Sequence, residues 1–328
     1  MGSEGPRVQA LRARLLPRGD GFVSDAAEPF DPILAEAVHR FQLRHGLEAD
    51  SAVGRLTLTA LNVPAAERLR QVEINLERWR WLPADLGARH IEVNIPSFET
   101  RVVEDGRTVA VHRSVVGRPF RATPMFSGTM TYLVLSPYWH VPPTIAAVDK
   151  LPLIRANPAV IAEDRMTLLD IATSRPVDPA SVDWTNMTGA DFNRTYRLRQ
   201  DPGPHNALGA VKFMFPNRHN VYLHDTPSRS LFDLTARDFS SGCIRIDRPL
   251  ELAEYLLRDR PEWTLARIDE VVRDGVERTV PLSEPIQVHL LYWTAWMDED
   301  GAPQFREDVY GRDDVVWRAL TAPPPVEQ

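Results

Sequence analysis

The chain has 328 residues, enough for about two domains of ~150 residues that each bury a core. The 45 acidic against 38 basic residues give a net charge of -7, with the basic ones scattered, which argues against a nucleic-acid binder held by phosphate neutralisation. No apolar run approaches the ~18 residues of a transmembrane segment, and the single cysteine, Cys243, excludes an internal disulfide, a paired-cysteine metal site and a redox couple.

Residues 1–6 offer neither a basic start nor an apolar stretch, and Pro6 stands where N-myristoylation wants Ser or Thr. The chain therefore reads as cytosolic or as a mature form without its leader. Proline (28) outnumbers glycine (17), so rigid extended loops are expected. Residues 7–63 read as three short helices. Val8, Leu11, Leu15 and Leu16 keep helical spacing, as do Ile33, Ala37, Val38 and Phe41 until Gly46 closes the second helix. The third runs through Leu56 to Leu61 and stops before Pro64. A bridging segment, 64–89, carries a helix from about Ala65 to Trp81, and its Trp79 and Trp81 are assigned to interdomain packing rather than to a ligand platform.

From His90 the hydrophobic period changes to two. Ile91, Val93 and Ile95 alternate with polar neighbours, and Asp105-Gly106 separates two alternating runs in a hairpin pattern. Strand patterns recur at Thr131–Leu135, Val211–Phe215 and Val221–His224, and a second hairpin is expected across Val288–Phe305 around Asp300-Gly301. The fold class is α+β: a mostly-β, sandwich-type domain over 90–313, preceded by the small three-helix domain. The segment at about 144–207 is too long for a bare loop and reads as a partly helical insertion of the kind that acts as a lid. PLELAEYLLRDRPEW and TLARIDEVVRDG read as two more helices, and 314–328 as a tail.

Chemistry concentrates in VYLHDTPSRSLFDLTARDFSSGCIRI, residues 221–246. A thiol becomes a nucleophile when a neighbouring base or positive charge lowers its pKa, and His224 is brought to Cys243 if the loop between them doubles back. Otherwise Cys243 is a buried small hydrophobe. Gly242 permits a tight turn in which consecutive amides aim at one oxygen, forming an oxyanion hole. No HExxH pattern or paired carboxylates support a metal site or glycoside hydrolysis, and no cofactor is expected.

Two resemblances extend this reading. VQALRARL, FDPILAEAVHRFQLRHGL and DSAVGRLTLTALN together resemble the peptidoglycan-binding three-helix module, with Ser51 where the module has glycine after Asp50; a generic helical spacer is the alternative. YLHDT followed by SSGCIRI resembles the signature of the L,D-transpeptidase (YkuD-type) catalytic domain. NLERWRWLP, VVGRPFRATPMFSGTM, SPYWHVPPTIA, PGPHNALGAVKFMFPN and YWTAWMDEDG resemble its larger, lidded Gram-negative subgroup.

That resemblance implies an enzyme acting on peptidoglycan stem peptides and glycan strands in the periplasm, with carbapenems as inhibitors. Cys243 attacks the carbonyl on the L-centre of the third stem residue, D-alanine leaves, and an amine of a neighbouring stem resolves the thioester into a 3→3 link. His224 serves as base and then acid. The Gly242 and Cys243 amides, with the Tyr222 hydroxyl, hold the oxyanion, and the backbone carbonyl of Asp225 orients the imidazole. Arg245 raises the local positive potential or engages a substrate carboxylate, or else forms a structural ion pair. Ser240 and Ser241 bond around the thiol or simply make the turn. Trp139 lines the pocket or packs in a core, while His140 is not catalytic, and Asn206 and Lys212 receive no role. The same acyl-enzyme attacked by water gives L,D-carboxypeptidase or endopeptidase activity. Acylation on L-Ala gives 1→3 links, and Pro137, Pro142 and Pro143 beside the pocket bear on which centre is presented. A sortase separates His from Cys more widely. A wall-binding adaptor with an inert β domain is the non-enzymatic alternative.

Overall fold

The computed structural model describes residues 2–16, 20 and 29–323. It divides into two compact units, a helical one made of Met1–Leu86, Asn94–Phe98 and Leu291–Gln328, and a β-rich one made of Gly87–Val93 and Glu99–Leu290.

In the helical unit, helices Pro6–Leu15, Pro32–Arg44 and Arg55–Asn62 bury Val8, Leu15, Leu34, Val38, Phe41 and Leu61 against one another. Asp31 caps the second helix by accepting from the Leu34 amide (2.7 Å), and Pro32 at its first position lacks only an N–H that would have no partner there. Ile33 faces out and Leu34 faces in, one position off the expected stripe. Gly46 follows the helix end with φ +62°, and the Leu47 amide donates back to Gln42, which satisfies a terminal carbonyl. The fourth helix, Ala65–Arg80, falls where expected. Trp79 stacks on Trp293 (4.6 Å between centroids) within this same unit, while Trp81 is exposed and donates its indole N–H to Glu77. The tryptophans expected between domains therefore work inside one unit or on its surface. Residues 314–321, read as tail, belong to a helix, Asp313–Thr321, because Asp313 reaches Arg78 at 2.6 Å and anchors its first turn. The remainder of that tail, 324–328, lies outside the described residues.

The strands, in chain order, are β1 (Arg89–Asn94), β2 (Glu99–Glu104), β3 (Arg107–Val115), β4 (Phe126–Leu135), β5 (Trp139–His140), β6 (Met166–Asp170), β7 (Tyr196–Gln200), β8 (Val211–Met214), β9 (Leu223–His224), β10 (Ile244–Ile246), β11 (Arg278–Leu291), β12 (Ala295–Met297) and β13 (Pro303–Phe305). Eight of them close in the order β1-β11-β4-β8-β9-β10-β3-β2. The sandwich-type expectation is thereby refined to a barrel. Both architectures read as period-two alternation, and only the pairing of β3 with β10 and of β1 with β11 distinguishes them. Inward residues such as Ile91, Leu133, Phe213, Leu223 and Ile244, with helices Pro249–Leu256 and Leu265–Arg273 packed on them, form one continuous core. The second hairpin is β12–β13, shorter than expected because Val288 belongs to the long strand β11.

The 144–207 insertion has a core of its own. Ile154, Phe192 and Leu198 are buried under short helical turns, and an antiparallel sheet β5-β7-β6 completes the layer. The helical part was legible in the sequence, whereas its sheet was not.

Candidate active site

Register alone assembles the site. β8 runs antiparallel to β9 with Lys212 opposite His224, and β10 runs parallel to β9 with Arg245 opposite His224 and Ile244 opposite Leu223. Side chains alternate across a sheet, so Phe213, Leu223 and Ile244 enter the core while Lys212, Tyr222, His224, Cys243 and Arg245 share the other face. The diagonal from Cys243 to His224 crosses neighbouring strands by two positions, a separation of about 7–8 Å between backbones.

Over this face lies a cavity of about 520 Å³ lined by Cys243, Gly242, Ser241, Tyr222, His224, Arg245 and Trp139, together with Pro142 and Pro143. Every expected site residue but Asp225 lines it. Asp225 lies behind the ring, with its carbonyl 2.5 Å from His224 Nδ1. A carbonyl only accepts, so Nδ1 carries the proton and Nε2 is the basic nitrogen. The Asp225 carboxylate turns elsewhere, accepting from the Ala210 and Thr226 amides and pairing with Arg229. His140 is exposed and does not line the cavity, and Asn206 is structural, its amide donating to the carbonyls of Pro137, Gln200 and Asp201.

The electrostatics differ from a thiol ionised by an adjoining imidazole. Burial, then the charge of Arg245, pushes His224 down to about 3, so the ring is neutral near pH 7. Burial raises the Cys243 thiol; the groups that oppose this are Tyr222, through its amide and hydroxyl, and then Arg245 and Lys212. A neutral ring has no charge to offer the sulfur. Sγ is directed at the Asn220 carbonyl (3.8 Å), a long contact. The resting site is therefore a thiol beside a neutral base.

The turn before Cys243 is braced from three sides. Ser240 Oγ accepts from the Gly242 amide (3.0 Å) and donates to the Cys243 carbonyl (2.6 Å), and Thr123 Oγ1 donates to the Gly242 carbonyl (2.9 Å). The Gly242 N–H, expected to face an oxyanion, donates to Ser240 Oγ in this structure. Ser241 is exposed and accepts from Arg121 (3.0 Å), whose guanidinium also grips Asp149 of the insertion through both carboxylate oxygens (2.5 and 2.9 Å). Arg245 has no acidic partner among the described residues, and its Nε is buried without a hydrogen bond, which disfavours the structural ion pair. Sequence reasoning missed Thr123, Arg121 and Asn220. Thr123 and Arg121 sit in the GRPFRATP loop, where a lone threonine beside prolines was the available signal.

Comparison with known proteins agrees with the motif reading. Residues 88–276 match the YkuD family model, described as "L,D-transpeptidase catalytic domain", and residues 4–61 match one described as "Putative peptidoglycan binding domain". A curated protein of Haemophilus influenzae named "Putative L,D-transpeptidase" is 35% identical over 244 residues, covering 74% of this chain and 48% of that protein. The chain thus spans about half the length of this relative. Among solved structures, an L,D-transpeptidase of Xylanimonas cellulosilytica is 18% identical, with 88% of this chain and 95% of that one covered and a TM-score of 0.28. One of Stackebrandtia nassauensis is 13% identical, with 88% and 93% covered and a TM-score of 0.33.

Proposed function

Since the chain belongs to the L,D-transpeptidase family through the match of its catalytic domain, we propose that it cross-links peptidoglycan, forming 3→3 links between stem peptides through a thioester on Cys243. The observation that carries this is the sharing of one strand face and one cavity by a lone thiol, a neutral buried imidazole and a phenol.

The Cys243 thiol attacks the amide carbonyl on the L-centre of the third stem residue. As the S–C bond forms, its proton passes to Nε2 of His224, and the developing oxyanion takes hydrogen bonds from the Cys243 amide and the Tyr222 hydroxyl. The C–N bond to D-alanine then breaks and the departing amine takes the proton from Nε2. An acceptor amine attacks the thioester, loses its proton to Nε2, and expels sulfur, which recovers the proton. Because His224 is held as free base, no deprotonation near the usual imidazole pKa need precede the first step. Arg245 lines the cavity and has no acidic partner among the described residues, which suits a carboxylate of the stem. The insertion is read as the lid and the helical module as a peptidoglycan anchor, and a peptidoglycan substrate implies a periplasmic enzyme. No helix among the described residues is long and apolar enough to cross a membrane.

Purified disaccharide tetrapeptides incubated with the protein are expected to yield 3→3 dimers, identified by sequencing the muropeptides in a mass spectrometer, and none with Cys243→Ala. Dimers linked only 1→3, or shortened stems without dimers, would reassign the reaction. A carbapenem is expected to add its mass to the intact chain and not to Cys243→Ala.

A further inference from the structure

Five side chains share the site face of β8, β9 and β10, and the mechanism above uses four of them. The fifth is Lys212. Its backbone pairs with His224, and its Nζ lies 5.4 Å from the centre of the Tyr222 ring. Its strand neighbours Val211 and Phe213 are core residues, so the pleat rather than solvent exposure determines which way the amine leaves the sheet. No carboxylate forms an ion pair with Lys212 among the described residues. A half-buried ammonium without such a partner is costly, and one packed on an aromatic face recovers part of that cost from the ring. The Tyr222 ring in turn lies 5.6 Å from the His224 ring, with its hydroxyl toward the sulfur.

We propose that Lys212 is a positioning residue that acts through Tyr222: its ammonium, seated on the ring, holds the phenol against the sulfur and makes the hydroxyl a stronger donor to negative charge at Cys243 and at the oxyanion. A cation over a phenol withdraws electron density from the ring and acidifies the O–H, so the donor strengthens where charge develops. The proposal rests on Cys243 being the nucleophile. Cys243 is faced by Tyr222 just ahead of β9, by His224 from β9, by Lys212 from β8 and by Arg245 on β10. Lys212 is faced in turn by Glu277 ahead of β11 and by His140 of β5. Burial lowers the Lys212 amine, while Glu277 and the sulfur favour its charged form.

Cys243 is the chain's sole cysteine, so its alkylation by iodoacetamide, read by intact mass across pH, reports on the thiol without any turnover. Lys212→Met is expected to move the midpoint of that profile up by about one pH unit. It is also expected to lower kcat for dimer formation about ten-fold, with KM within two-fold of wild type. Lys212→Arg should restore most of both. In a Tyr222→Phe background, Lys212→Met should lower kcat no further and should shift the profile by less than half as much, through the direct charge of Lys212 on the sulfur alone. The proposal is overturned if Lys212→Met leaves the alkylation profile in place, if it raises KM alone, as a substrate anchor would, or if its full effect persists without the phenol hydroxyl. It is equally overturned if Lys212→Arg behaves as Lys212→Met. Should the protein prove not to be a transpeptidase, the alkylation profiles still decide the role of Lys212.

Discussion

Gly242 has φ +114°, yet a Cβ built there would meet nothing closer than the Arg121 carbonyl at 3.6 Å. Glycine is thus required for the conformation of the turn and not for space. The conformation is held by side-chain oxygens, and Thr123 is the most exacting of them, since its buried hydroxyl donates to the Gly242 carbonyl while accepting from the Gly117 amide (2.9 Å). Thr123→Val keeps the shape and removes both bonds, and is expected to cost about 1–3 kcal/mol in thermal unfolding, together with a slower alkylation of Cys243. His224 makes a separate prediction. Its pKa is lowered in the folded chain to about 3, so the unfolded chain binds the proton more readily below the ordinary value of 6.5. Its contribution to stability is complete above pH 6.5 and is lost as pH falls from there toward 3. Denaturant titrations between those values are expected to show a shallower loss for His224→Gln; an unchanged slope would contradict a buried neutral ring. Cys243, His224 and Gly242 were legible from residue type and motif. The capture of the Gly242 amide by Ser240 was not, because a hydroxyl two residues away reads equally as a turn former.

Between residue and domain, the insertion illustrates what periodicity conveys. Leu151 and Ile154 sit three apart and are buried, so its helical turns announce themselves, whereas β6 and β7 are five residues each and pack their apolar side on a core that only the folded insertion creates. Its first turns, Ala146–Lys150, carry Asp149, and the Arg121 pair fastens them to the loop that also holds Ser241. Asp149→Asn is expected to weaken this tie by about 1 kcal/mol, since both side chains are partly exposed. Hydrogen exchange across residues 144–156 should accelerate while the barrel strands stay protected. In the helical module, Ser51 occupies the glycine position of the resembled pattern with φ +62°, its amide donating to Gln42 (2.9 Å). The turn has kept the glycine conformation without the glycine. Ser51→Gly is expected to stabilise the module by up to about 1 kcal/mol, read as a rise in its melting temperature.

At the scale of the whole molecule, neither unit is a continuous stretch of chain. The helical unit takes in Asn94–Phe98 and everything from Leu291 onward, where the sequence placed one catalytic domain over 90–313. The barrel needs β11, which lies between β1 and β4 and falls beyond residue 276, the last residue matched to the catalytic family model. A fragment of residues 88–276 is therefore expected to expose the unpaired edges of β1 and β4 and to aggregate or fail to show cooperative unfolding, while the full chain melts cooperatively. The sequence by itself determined the α+β class, the helical module, the strand alternation and the thiol with its histidine, because each is written in residue type, local period or a short motif. Only the tertiary structure decided the closure of the barrel, the neutrality of the imidazole, the placement of Lys212 and Arg245 around the sulfur, and the side on which residues 291–323 belong. These depend on pairings between distant strands and on burial, and both arise only when segments far apart in the chain come into contact.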